Sequence, residues 1–331
     1  MSGHNLKEGL YVNKALTDDE MWSAFSYVFS PNSRNTTSYK FAFLKSILDN
    51  LYNTDSELVL TFDQIFSKFA EIYWNLILKY RLRQSPKNKA NKVTYIEQIL
   101  YSTQTNYKIA DGVPFEQLPN DLIIKISHQV KMKCKRNVVG ALFADTKGRF
   151  YSFSRKEEWI KIHPSMYEFV CKHKVALEKL NYYEWAKFLE KVNDDSTVVH
   201  LLGKLDESSK RQNLSVYRQI LYHEFESKTC FYCGQSISEK NLEVDHFIPW
   251  SFVKDDNLWN LVLSCSSCNG RKSNKLAHMI FLHKLVKRNN IILLESDSKD
   301  MINYKDKTLR HIYYYARING YNKIWSPKRV V

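Results

Sequence analysis

Residues 230–275 read CFYCGQSISEKNLEVDHFIPWSFVKDDNLWNLVLSCSSCNGRKSNK, and their pattern decides how the C-terminal part of the chain folds. Cys230-x-x-Cys233 and Cys265-x-x-Cys268 are two knuckles, each offering two sulfurs from a tight turn. Four thiolates at about 2.3 Å in a tetrahedron suit a closed structural Zn²⁺ site. Such a cage pins both ends of residues 234–264. Cysteine pairs also serve iron–sulfur clusters and redox dithiols, but neither pair here has thioredoxin-like surroundings. A four-cysteine site with every position filled is no catalyst, so any chemistry must come from the enclosed loop.

Within that loop, Leu242-Glu243-Val244-Asp245-His246-Phe247-Ile248-Pro249 reads as a short strand stopped by Pro249. Side chains alternate along a strand, so Asp245 and His246 face opposite ways unless a bend or bulge intervenes. Asn260 sits in a second apolar segment, Leu258 to Leu263, and Asn269 follows the last cysteine directly.

The sequence VDHFIP, then NLVLSC, then CxxCN running into GRKSNK, resembles the HNH endonucleases of the ββα-metal superfamily. The spacing of His246, Asn260 and Asn269, with SFVKDD between, also resembles the HNH domain of RNA-guided CRISPR effectors. Those effectors generally lack zinc knuckles, which many free-standing bacterial HNH nucleases carry. The resemblance implies a general base at His246, a metal-binding carboxylate at Asp245, a loop-bracing Asn260 and a second metal ligand at Asn269. The last position is often His in the family; Asn still offers a carbonyl oxygen to Mg²⁺ or Mn²⁺ and disfavours a softer metal.

That chemistry needs these residue types. Phosphodiester oxygens repel an anionic nucleophile, so a hard divalent cation is expected at the scissile phosphate. His246 must be neutral to take a proton from water, and an ordinary imidazole pKa of about 6.5 permits that at cytosolic pH. Arg271, Lys272 and Lys275, at the start of the following helix, are expected to contact flanking DNA phosphates. The function so implied is metal-dependent hydrolysis of DNA, double-stranded by preference, in bacterial restriction or anti-phage defence. One HNH site makes one nick, so cutting both strands needs a homodimer or two sequential events, and a further defence-system subunit is a second kind of partner. The alternative from another class is a non-catalytic zinc module that binds nucleic acid or a partner protein.

Further out, composition narrows the setting. The chain has 331 residues, enough for two domains, with 44% hydrophobic and 25% charged residues, which excludes a disordered or collagen-like class. A net charge of +14 gives a positive field suited to a polyanion. Metal-bound thiolates, with Cys134 and Cys171 standing alone, fit a reducing cytoplasm. The N-terminus lacks the apolar core of a signal peptide, and no apolar run is long enough for a membrane span.

The expected class is mainly α with a small α+β module. Residues 1–205 form a mainly helical region for recognition, sensing or dimerisation; residues 206–331 form the HNH domain with a C-terminal helical extension. Thr17-x-x-Glu20 and Thr61-x-x-Gln64 predict capping boxes. The stripe Phe62, Ile65, Phe66, Phe69, Ile72, Tyr73, Leu76 and Tyr80 predicts a long core helix. Helices are also expected over Ser38–Leu51, Val93–Leu100, Pro114–Ile126, Met166–Val192 (as one or two), Leu214–Phe225, Leu276–Lys287 and Leu309–Arg317. A hairpin is expected from Val138–Phe143 and Phe150–Phe153 around Gly148, and a short strand over Ile291–Leu294. Arg81, Arg83, Lys87, Lys89 and Lys92 read as a solvated basic loop, and Lys131, Lys133, Lys135 and Arg136 as a second basic cluster.

Overall fold

A computed structural model describes residues 3–86, 93–209, 214–224, 228–238, 241–295, 301 and 304–328. The chain divides into two compact units, Met1–Lys210 and Arg211–Val331. No helix among the described residues is long and apolar enough to cross a membrane.

The first unit contains β1 (Glu8–Gly9), α1 (Asp18–Val28), α2 (Tyr39–Asp49), β2 (Val59–Thr61), α3 (Phe62–Trp74) and α4 (Tyr95–Asn106). It continues with α5 (Asn120–Asp145), β3 (Tyr151–Ser154), β4 (Trp159–Ile162), α6 (Pro164–Val192) and α7 (Leu201–Asp206). Thr17 and Thr61 close the capping boxes expected of them, and Thr94 with Glu97 closes a third ahead of α4. Each satisfies backbone N–H groups that a helix start leaves unpaired. The stripe of α3 is buried from Phe62 to Tyr73, and the helix runs on as a π-helical turn, Asn75–Lys79. It packs on α5, and on α2 with the aromatic pair Phe43–Phe66, 5.9 Å between ring centroids. The four strands form an antiparallel sheet in the order β1-β3-β4-β2, with Tyr151 opposite Ile162 and Val59 opposite Lys161. Met166–Val192 falls within a single element, α6, bent at His173.

Two expectations fail in this unit. Val138–Phe143 is no strand but the last turns of α5; the sheet's hairpin is β3–β4, one element later. Leu122, Ile126, Val130, Cys134, Val138 and Leu142, four apart, are the buried face of α5, and that period belongs to a helix. The basic cluster is not one patch either. Lys131 and Lys135 fold back on Glu158 at 2.6 and 2.5 Å, and Lys131 also meets Asp63 at 2.7 Å. The basic loop over Lys87, Lys89 and Lys92 lies outside the described residues.

The second unit contains α8 (Ser215–Glu224), β5 (Leu242–His246), α9 (Trp250–Val253), β6 (Leu261–Cys265) and α10 (Ser266–Lys272). Then come β7 (Leu276–Ala277), α11 (Met279–Glu295), α12 (Asp306–Ile318) and β8 (Ile324–Trp325). β5 and β6 pair antiparallel, with Leu242 opposite Cys265 and His246 opposite Leu261, and α10 packs on both. β7 and β8 pair in parallel. Ile291–Leu294, expected as a strand, belongs to α11, whose apolar residues continue the helix rather than end it. The helix expected from Leu276 begins only at Met279, after β7.

α11 does more than extend the domain. Its Arg288 donates to the Leu261 and Leu258 carbonyls at 2.5 and 3.2 Å, and Asn289 donates to the Trp259 carbonyl at 2.9 Å. Lys284 donates to the Phe231 carbonyl at 2.6 Å. Residues beyond the cysteine stretch thus satisfy backbone acceptors of both the knuckle and β6, which a buried loop could not leave unpaired.

Candidate functional site

The four cysteines converge. Their Sγ atoms all lie within 4.8 Å of one another, with Cys233 and Cys265 4.0 Å apart. A metal with bonds of about 2.3 Å in a tetrahedron sets its sulfurs about 3.8 Å apart, so the cluster could hold a metal ion. The first knuckle turns at Gly234, φ 71°, where its N–H donates to the Cys230 carbonyl at 2.9 Å. Phe231 N–H donates to the Leu263 carbonyl at 2.9 Å and ties that knuckle to β6, the strand that ends in the second. Burial pushes the Cys233 and Cys268 thiols up. A cation supplies the charge that makes such thiolates favourable.

Asp245 and His246 lie at the end of β5, both buried. The expected alternation is visible in their partners. The Asp245 carboxylate accepts from the Tyr232 hydroxyl at 2.5 Å and lies 3.0 Å from the Lys272 ammonium on α10. The His246 ring turns instead to Asp256, with Nε2 2.7 Å from Oδ1. Asn260, fully buried, clamps the turn that follows: its Nδ2 donates to the Ile248 carbonyl at 2.9 Å and its Oδ1 accepts from Ile248 N–H at 2.8 Å. Its own carbonyl accepts from Phe247 N–H at 2.8 Å. That double clamp fixes where β5 stops and hence where the imidazole sits.

Residues 230–278 match a family model described as HNH endonuclease. The stretch is therefore an HNH domain with a four-cysteine cluster that could hold a metal, and nuclease-type chemistry is what such a domain suggests. No curated protein and no solved structure matches the chain.

Within the HNH domain, Asn269 lies across from β5, on α10, and its Nδ2 donates to the Glu243 carboxylate. Its Oδ1 is left to accept or to ligate. Glu243 and Asp245 are two residues apart on one strand, so both carboxylates share the face that meets α10. Two carboxylates and an amide oxygen are a donor set for a hard divalent cation. The donor types suit such an ion, while in this structure the Lys272 ammonium carries the positive charge beside Asp245.

Arg271 and Lys275 line an open cleft of about 430 Å³ with Trp325 and Lys328. Lys272 does not join them. It is fully buried, bonded to Asp245 and, at 2.7 Å, to the His246 carbonyl, so the outward phosphate contact expected of it is not the one its position allows. Its side chain follows from helix geometry: Asn269 and Lys272 are three apart on α10 and share the face turned to β5. Glu243, Tyr232 and Asp256 are not singled out by the sequence. Tyr232 sits inside the first knuckle and Asp256 inside SFVKDD, and spacing alone does not say which way either points.

Proposed function

We propose that the chain is a metal-dependent DNA endonuclease that hydrolyses phosphodiester bonds through its HNH domain, with a structural Zn²⁺ in the cysteine cluster. The observation that supports this reading is the arrangement within the stretch that matches the HNH endonuclease model: Asp245 and His246, both buried, end β5, Asn260 clamps the turn after it, and Asn269 on α10 bonds to Glu243 on the same strand.

Asp245 and Asn269, with Glu243 beside them, would hold a catalytic Mg²⁺ or Mn²⁺. When bound, that cation supplies positive charge to the scissile phosphate and the leaving 3′ oxygen. His246 takes the proton of the attacking water. In-line attack forms the new P–O bond as the bond to the 3′ oxygen breaks, leaving 5′-phosphate and 3′-hydroxyl ends. Lys272 holds Asp245 toward α10 and Tyr232 holds it toward the first knuckle, and Arg271 and Lys275 bind flanking phosphates. Restriction or anti-phage defence is the setting we propose for this activity, with a homodimer as the unit that cuts both strands.

The competing reading, a non-catalytic zinc module that binds nucleic acid or a partner protein, has one observation in its favour: Lys272 already compensates the charge of Asp245. Incubation with plasmid DNA, first in EDTA and then with Mg²⁺ or Mn²⁺, separates the two when zinc content is assayed in parallel. Endonuclease action predicts cleavage restored by the added cation, 5′-phosphate ends, and zinc retained throughout. DNA bound but uncut with every divalent ion would support the zinc module instead.

A further inference from the structure

The mechanism above leaves one buried acid unused. Asp256 is 5% exposed at its side chain and faces a His246 ring that is 3% exposed, with Oδ1 2.7 Å from Nε2. The chain is built to bring it there. Pro249 starts α9, the helix ends after one turn with Lys254 N–H donating to the Trp250 carbonyl at 2.7 Å, and Lys254 takes a left-handed φ of 64°. A left-handed residue after a single helical turn reverses the chain, so the residues that follow return toward the end of β5. Lys254 has a side chain and no glycine's freedom, so the surroundings must hold that turn in place.

We propose that Asp256 is the positioning residue for His246. The inference rests on the endonuclease reading for its role in catalysis, and on the Nε2–Oδ1 contact alone for its geometry. An ionised carboxylate only accepts hydrogen bonds, so it demands a proton on Nε2 and thereby leaves the lone pair on Nδ1. Nδ1 has no hydrogen-bonding partner among the described residues. It is the atom that receives the water proton, while Nε2–H stays in place against Asp256. In that step the water O–H bond breaks, the O–P bond forms, the P–O3′ bond breaks, and the 3′ oxygen takes its proton from solvent. The carboxylate also stabilises the imidazolium that results. A buried, charge-assisted hydrogen bond is stronger than a neutral one, which favours one ring orientation over the alternatives.

The test is the tautomer of His246 in the full chain. Ten histidines are present, and His246 is assigned as the ring missing from the spectrum of His246→Gln. With ¹⁵N-labelled histidine, at a pH where the ring's own ¹⁵N shifts show one protonated and one unprotonated nitrogen, long-range ¹H–¹⁵N spectra identify the protonated one. The wild-type ring is expected to be protonated at Nε2. Asp256→Asn, whose amide can donate as well as accept, is expected to shift the ring toward the Nδ1-protonated form. The same variant is expected to lower kcat about 100-fold or more, with KM within a few-fold and zinc content unchanged. Asp256→Glu should restore the wild-type tautomer in part. A wild-type ring protonated at Nδ1 overturns the proposal without recourse to any variant, as does an Asp256→Asn enzyme with unaltered tautomer and kcat. If the wild type cuts no DNA at all, the endonuclease reading fails, and the spectrum still decides whether Asp256 holds the ring.

Discussion

The Asp245 carboxylate, largely buried, holds the Tyr232 hydroxyl and the fully buried Lys272 ammonium at the same time. A buried pair of this kind costs several kcal/mol of desolvation, and removing one partner commonly costs about 3–5 kcal/mol because a bare charge is left behind. Lys272→Met should therefore destabilise the protein by about that amount in EDTA. In Mg²⁺ the loss should be smaller, because a cation at Asp245 supplies the missing charge and binds only the folded state. Thermal denaturation with and without the ion measures the difference, and equal losses would mean that no cation reaches Asp245. At this scale the sequence is informative about residue types and poor about partners. Asp245, His246, Asn260 and Asn269 are singled out through the HNH resemblance, and they lie on β5, just before β6 and on α10. Lys272 misleads because a lysine in a basic run is ordinarily solvated; only the three-residue step from Asn269 says that it shares the inward face. Asp256 lies within SFVKDD, but nothing in that run distinguishes it from Asp255 until the left-handed Lys254 fixes the path.

Among the elements, the cysteine knuckles and the β5–β6 hairpin are one structural object. The first knuckle bonds to β6 through Phe231, supplies Tyr232 to Asp245, and faces a second knuckle that closes β6. Loss of the metal should therefore disturb the candidate active site and not only the loop ends. Cys265→Ser is expected to abolish zinc binding and unfold the second unit, since structural zinc affinity is folding free energy in a small module. Circular dichroism and zinc content check this: a variant that loses its zinc yet keeps wild-type melting behaviour would contradict it. The departures from expectation in α5 and α11 share a cause. Val138–Phe143 and Ile291–Leu294 are short apolar runs, and a short apolar run does not distinguish a strand from a buried helix. The longer window does, for α5 at least, since its buried residues recur every four positions from Leu122 to Leu142.

For the whole molecule, a net charge of +14 provides attraction to a polyanion, and the second unit carries the chemistry we propose. The first unit is a helical core with a four-stranded sheet, and its buried Lys45 is structural. Fully buried, Lys45 lies 2.9 Å from Asp49 and 3.9 Å from Glu178; burial opposes its charge, but the two carboxylates outweigh it and hold the ammonium's pKa above the ordinary value. Lys45→Met should destabilise the protein by about 3–5 kcal/mol, measured by denaturant unfolding, and a change below about 1 kcal/mol would mean that the two acids find other partners. The mainly helical character of this unit is legible from capping boxes and the α3 stripe. Its sheet is not, because β1 and β2 are only two and three residues long and pair with strands far along the chain.

The central claim is that the HNH domain cuts DNA and that His246 is its base. The most direct measurement compares wild type with His246→Ala on the same DNA in Mg²⁺, with zinc content and melting curves recorded for both. Cleavage by His246→Ala is expected to fall by about 100-fold or more while zinc and fold persist. Cleavage by His246→Ala at the wild-type rate would contradict it.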